Sequence, residues 1–183
     1  MEQKEEAYII NRILAGETNL FSGFVDNYGA SVLRMVRQIV AGREDAEEIV
    51  QDIFMKAFAN LHFFKGDARF STWLFRIAYN TAISATRKKK REHFSFDEKM
   101  MADVPDEKID HFFDNDKNEL LERRLQEAIV LLPPDEKALI AMFYNEDKPI
   151  DEIASIMSLS ASNVKVKLFR TRKKLYLQLN EYH

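Results

Sequence analysis

The sequence predicts an all-α protein of two small helical domains joined by an acidic linker. Three observations carry that prediction. Apolar residues recur every three to four positions over most of the chain and nowhere alternate as a half-buried strand would. The 183 residues include five Gly and four Pro, too few for the turns of a many-stranded fold. Residues 93–118 hold 3 basic against 8 acidic side chains, with Pro105 and no sustained helical stripe, as a linker would.

Each element follows in chain order. Tyr8, Ile9, Ile10, Ile13 and Leu14 predict a short first helix ending near Gly16. Phe21, Phe24, Val25, Tyr28, Val32, Met35, Val36 and Ile39 form a longer stripe, with Gly42 as the expected C-cap. Asp45 is expected to cap the next helix, which buries Ile49, Val50, Ile53, Phe54, Ala57, Phe58 and Leu61. Residues 62–70 interrupt the period, with Gly66-Asp67 as a turn. Ser71 is the expected cap of a helix to about Arg91 that buries Leu74, Ile77, Ala78, Thr81 and Ala85. This makes residues 1–92 a four-helix domain.

Beyond the linker, residues 119–183 predict a second domain. Leu121, Leu125, Ala128, Ile129 and Leu132 share a face that stops at Pro133-Pro134. A helix from Glu136 to about Tyr144 follows, then a short one from Asp151 to Met157. The turn Ser158-Leu159-Ser160 leads into a long basic helix to about Leu179, with Ser160 or Ser162 as its cap. Short helix, tight turn and longer basic helix form the helix-turn-helix pattern.

Composition excludes several chemistries. The chain has no Cys, hence no disulfide framework, thiolate nucleophile or Cys-ligated metal. His62, His93, His111 and His183 are scattered, without metal-ligand or nucleophile–base spacing. No metal, no cofactor and no enzymatic activity are expected. The opening MEQKEEAYII is acidic and polar, unlike a secretory leader, and no apolar run approaches the ~20 residues of a membrane helix. A cytoplasmic protein without membrane insertion is expected.

The net charge of −3 conceals strong segregation. Residues 65–91 hold eight cations against Asp67, and residues 160–180 hold six against no acid. Glu44, Asp45, Glu47, Glu48 and Asp52 form an acidic cluster. Two basic blocks in two domains outline a divided nucleic-acid footprint, although each block alone is also what a solvated face looks like.

On the last helix, Ser162, Asn163, Lys165, Val166 and Lys167 fall where a recognition helix enters the major groove. Arg170, Arg172, Lys173 and Lys174 suit phosphates. On the helix of residues 71–91, Trp73, Arg76, Asn80, Ser84 and Arg87 share a polar, basic face led by an aromatic. Single-stranded nucleic acid fits it, because bases stack on aromatics while cations follow the backbone. The adjoining loop, with Phe63, Phe64, Lys65 and Arg69, offers walls for one unstacked base. The competing reading is that these aromatics only cap the core.

The strings DAEEIVQDIFMKAFANL and FFKGDARFSTWLFRIAYNTAISATRKKKR resemble domain 2 of bacterial RNA polymerase sigma factors. LPPDEKALIAMFYNEDKPIDEIASIMSLSASNVKVKLFRTRKKL resembles their domain 4. The compact layout is similar to the extracytoplasmic-function group. The resemblance implies a promoter-recognition subunit of core RNA polymerase. Asp45, Glu48, Ile49, Asp52, Ile53 and Lys56 would dock on the clamp coiled coil of the largest subunit, and domain 4 would meet the flap of the second-largest. Phe63, Phe64, Lys65, Arg69, Trp73, Arg76, Asn80 and Arg87 would melt and read the −10 element, Asn80 at a flipped base. Ser162, Asn163, Lys165, Lys167, Arg170, Arg172 and Lys174 would read the −35 duplex, and an anti-sigma factor is a usual partner. Lys165 and Lys167 stand where relatives often carry Arg, so the −35 preference does not transfer. On the residues alone, a duplex-binding helix-turn-helix regulator and a helical protein-interaction module remain open.

Overall fold

A computed structural model describes residues 3–40, 42–88, 105, 109 and 119–180. Helix α1 (Gln3–Leu14) precedes a 3-10 turn (Thr18–Phe21), α2 (Ser22–Ile39) and α3 (Arg43–Ala59). A second 3-10 turn (Leu61–Phe63) leads to α4 (Phe70–Lys88). The carboxy-terminal half holds α5 (Glu119–Val130), α6 (Pro134–Ile140), a π turn (Ala141–Asn145), α7 (Ile150–Met157) and α8 (Ala161–Asn180). The described residues contain no strand. The expected linker, its phenylalanines Phe94, Phe96, Phe112 and Phe113, and the basic run 89–91 lie outside the described residues, save that Ile109 is fully buried.

The amino-terminal helices pack around Phe24, Met35, Ile39, Ile53, Leu61, Phe70 and Leu74, all essentially inaccessible to solvent. The first helix ends in a Schellman motif: Glu17 N–H donates to the Arg12 carbonyl and Gly16 N–H to that of Ile13. Gly16 takes the required positive φ of 114°. Glu6 is buried and accepts a hydrogen bond from the Tyr28 hydroxyl, tying α1 to α2. Burial, then Glu6, raises the Tyr28 pKa well above the usual phenol value.

Four expected boundaries move. Helix α2 stops at Ile39, and Gly42 precedes α3 instead of closing α2. Its φ of +113° reverses the chain there, and a Cβ would lie 3.2 Å from Asp45 Oδ2. Arg43 therefore opens α3 and Asp45 falls in its first turn, where a carboxylate favours the helix dipole. Helix α4 begins at Phe70, so Ser71 is inside it. Pro134 opens α6, where its missing N–H costs nothing.

The chain's two halves share one hydrophobic core. Helix α7 packs on α4, and α6 and the π turn pack on α2. Sequence periodicity assigned α4 one buried stripe. It has two, because Phe75, Tyr79 and Ala82 recur at helical spacing beside Leu74 and Ala78; Phe75 is 2% exposed.

Candidate nucleic-acid and polymerase interface

The proposed −10 surface is built outward from the core. Phe70 packs against Phe24, tilted by 39°, with ring centres 4.2 Å apart, and Phe64 meets Phe70 edge-on at 5.8 Å. Trp73 lies 5.5 Å from Phe64 and 5.6 Å from Phe70. Phe64 and Trp73 are thus half-buried wall residues, each held by two aromatic neighbours and each presenting an open side. Phe63 is 65% exposed, against His62 at 3.9 Å. Lys65, Arg69, Arg76, Asn80 and Arg87 are exposed, Arg87 about 21 Å along α4 from Trp73. The aromatics close the core, and Phe64 and Trp73 stay partly open to solvent.

In the helix-turn-helix, Ser158 adopts the left-handed conformation at φ 56° and ends α7. Leu159 N–H donates to the Ala154 carbonyl at 2.9 Å, the long bond of a second Schellman motif. Ser160, and not Ser162, caps α8: its Oγ accepts from Asn163 N–H at 3.1 Å. Val164, Leu168, Thr171, Leu175 and Leu179 are buried, as the spacing predicts. Ser162, Asn163, Lys165 and Val166 are exposed at the amino-terminal end, and Arg170 is exposed at mid-helix.

The remaining cations of α8 are placed differently from the expected solvent face. Lys167 Nζ lies 2.6 Å from Asp135 Oδ2, and Lys174 Nζ lies 2.6 Å from Glu136 Oε1. Both acids open α6, and Glu136 is buried. Lys173 is buried and Arg172 half-buried, so neither lies on an open phosphate-facing edge. Helical spacing placed Lys167 and Lys174 beside Asn163; it gave no sign of the acids opposite them.

On α3, Glu48 and Asp52 are exposed, Asp45 and Ile49 half-exposed, and Lys56 pairs with Asp52 at 2.6 Å. Ile53 is fully buried, so it is a core residue and leaves the docking set. Met55 and Phe58, 70% and 42% exposed, are the apolar groups this helix presents to solvent. Met55 follows Glu48 by seven positions, a spacing that would have located it. Hydrogen bonds from Arg43 and Arg37 lower the Glu47 carboxyl pKa, Arg43 contributing more. This helix presents anionic and apolar groups together, chemistry suited to a protein partner.

Residues 24–92 match Sigma-70 region 2, and residues 122–175 match Sigma-70, region 4. The ECF sigma factor SigW of Bacillus subtilis is 26% identical over 185 residues, covering 94% of this chain and 95% of the relative. The ECF sigma-E factor of Haemophilus influenzae is 29% identical, covering 94% of each. The chain belongs to the extracytoplasmic-function sigma factors.

As an ECF sigma factor it is a promoter-specific transcription initiation factor, with core RNA polymerase and promoter DNA as partners. Its fold resembles that of CnrH in complex with the cytosolic domain of CnrY (TM-score 0.69, 21% identity, 96% of this chain and 97% of that one). It also resembles the sigma factor RpoE bound to the anti-sigma factor NepR from Bartonella quintana (TM-score 0.59, 21% identity, 86% and 96%). No helix among the factor's described residues is long and apolar enough to cross a membrane. No group of three or more His, Asp or Glu among those residues could hold a metal ion.

Proposed function

We propose that residues 1–92 dock on core polymerase and melt and read the −10 element, while residues 119–183 read the −35 element as duplex. Residues 93–118 would connect them. The observation that carries this reading is the exposed Arg76–Asn80–Arg87 face beside the half-open wall of Phe64 and Trp73. Unstacking a base costs a few kcal/mol, which stacking on that wall and a hydrogen bond from Asn80 can offset. The anionic face of α3, with Asp45, Glu48, Ile49, Asp52, Lys56 and Met55, would take the polymerase clamp. Ser162, Asn163, Lys165, Val166 and Arg170 would enter the major groove, where Asn and Lys meet purine edges and Val meets a thymine methyl.

In this reading the factor supplies recognition and binding energy while the polymerase performs the chemistry, in the cytoplasm. The two solved relatives are held by CnrY and NepR, and an anti-sigma factor is the corresponding proposed partner here. Reconstitution with core polymerase on genomic fragments tests the assignment. Specific start sites and reactive thymines confined to the −10 region are expected. A factor that binds core but leaves the −10 region unreactive would overturn the melting role.

A further inference from the structure

Sulfur chemistry in this chain falls to its thioethers, since it has seven Met and no Cys. Among the described residues, Met35 and Met142 are fully buried and Met157 is 7% exposed, whereas Met55 is 70% exposed. Met1, Met100 and Met101 lie outside the described residues. Oxidation of a thioether needs contact between sulfur and oxidant, so it follows exposure. The core shields the three buried sulfurs; it does not shield Met55.

The sequence of α3 leaves that sulfur uncovered. Glu48, Asp52, Met55 and Ala59 succeed one another at i, i+4, i+7 and i+11 along one ridge of the helix, and all four are exposed. Ala59, one turn on, offers only a methyl group, too short to lie over the thioether. Asp52, one turn back, is engaged by Lys56, whose Nζ lies 2.6 Å from its Oδ2. Phe58, 42% exposed, is the other large apolar side chain on this side, its ring edge-on to Phe21 at 5.1 Å between centres.

With hydrogen peroxide as oxidant the chemistry balances. The Met55 thioether gives up two electrons and takes one oxygen atom, an S–O bond forming as the O–O bond breaks, and the second oxygen leaves as water. The product is a sulfoxide, a polar acceptor on a formerly apolar side chain, and a reductase that supplies two electrons and two protons returns the thioether. In the free factor the new oxygen is solvated, because the side chain stands mostly in water. Beneath a partner it would lose that water and leave a buried acceptor without a donor.

We propose that Met55 is an oxidation site whose sulfoxide weakens assembly of the factor with core polymerase. The inference rests on the reading of α3 as the polymerase-docking helix. Exposure in the free factor and cover in the holoenzyme give the site its direction: peroxide reaches Met55 in the free chain and is kept from it in the assembled one. Oxidised factor is thereby held out of holoenzyme until the sulfoxide is reduced.

The full chain, treated with hydrogen peroxide, is followed by peptide mass and titrated against core polymerase. Met55 is expected to gain oxygen ahead of Met35, Met142 and Met157. Affinity for core should fall about tenfold in step with it, the scale of one buried acceptor left without a donor. The two reductases that act on the two sulfoxide epimers should restore it. Met55→Leu, measured against its own untreated affinity, should be unmoved by peroxide, and preassembled holoenzyme should oxidise at Met55 more slowly than free factor. Unchanged affinity in factor oxidised at Met55, or an equal loss in Met55→Leu, would overturn the proposal, as would Met35 or Met142 oxidising as fast as Met55. Asp52→Lys separates the two readings. If it weakens assembly and the sulfoxide does not, the oxidation site fails alone; if neither weakens assembly, the docking assignment of α3 has failed and takes the proposal with it.

Discussion

Lys167 of α8 and Asp135 of α6 meet at 2.6 Å, with side chains 28% and 39% exposed. In the proposed −35 complex, the pair holds back a cation that would otherwise reach a phosphate. Asp135→Asn frees it. The variant holoenzyme should bind non-promoter duplex more tightly, and its salt dependence should steepen by about 0.9 in log–log slope, one added phosphate contact. Adding Lys167→Met should abolish the gain. An unchanged slope in Asp135→Asn would mean Lys167 already lies on DNA in the complex.

Asn80 is exposed on α4 one turn beyond Arg76. Asn80→Ala should lower discrimination between matched and mismatched −10 sequences by roughly tenfold, the worth of one base-edge contact. Core binding should be unaffected. Transcription competition between two promoters, alongside a core-binding titration, reads both quantities.

Asp52 and Met55 lie on the outer side of α3. Asp52→Lys should weaken holoenzyme assembly by an order of magnitude or so, through charge reversal at the proposed clamp site, yet shift thermal stability little. Intact assembly would move the docking surface off α3.

Ser158 holds a left-handed conformation that costs a side-chain-bearing residue about 1 kcal/mol. Ser158→Gly relieves it and should raise the melting temperature by about 2–4 °C. Promoter preference should not change, because the cap at Ser160 and the exposed amino-terminal edge of α8 are untouched. Calorimetry on the purified factor decides the point.

Tyr28 carries a phenol pKa raised above 10 by burial and by Glu6. Tyr79 is raised too, by burial and then Asp135. A raised folded-state pKa means the native state keeps the proton that the unfolded chain loses. Their contribution to stability is complete below pH 10 and falls as pH climbs beyond it. Urea midpoints at pH 9 and 11 should show the loss, and Tyr28→Phe should show less of it. At pH 7 the same substitution should cost about 1–3 kcal/mol, since buried Glu6 loses its donor.

Much of this was legible in the residues. The helices, the turn at Ser158 and the buried stripe Val164–Leu168–Thr171–Leu175–Leu179 follow from spacing and chain punctuation, which act locally. The exposed Arg76–Asn80–Arg87 face was legible for the same reason. What was not legible depends on the far side of the fold. Ile53 has the same helical phase as a docking residue, and only the packing of α2 and α4 buries it. Lys167 looks free until Asp135, thirty-two residues earlier, is folded against it. Phe75 and Tyr79 have a readable helical spacing, but a second buried stripe needs a partner that spacing does not name. Gly42 was assigned to the wrong helix because a positive φ serves either end.

Phe75 gives the association between the two halves a temperature dependence. Parting them would bring an aromatic ring and its apolar surroundings into water, with a positive change in heat capacity. Apolar burial weakens on cooling, whereas the Arg34–Glu146 ion pair between the halves does not follow that trend. The strength of that association should therefore be a curved function of temperature, and cold should weaken its apolar part.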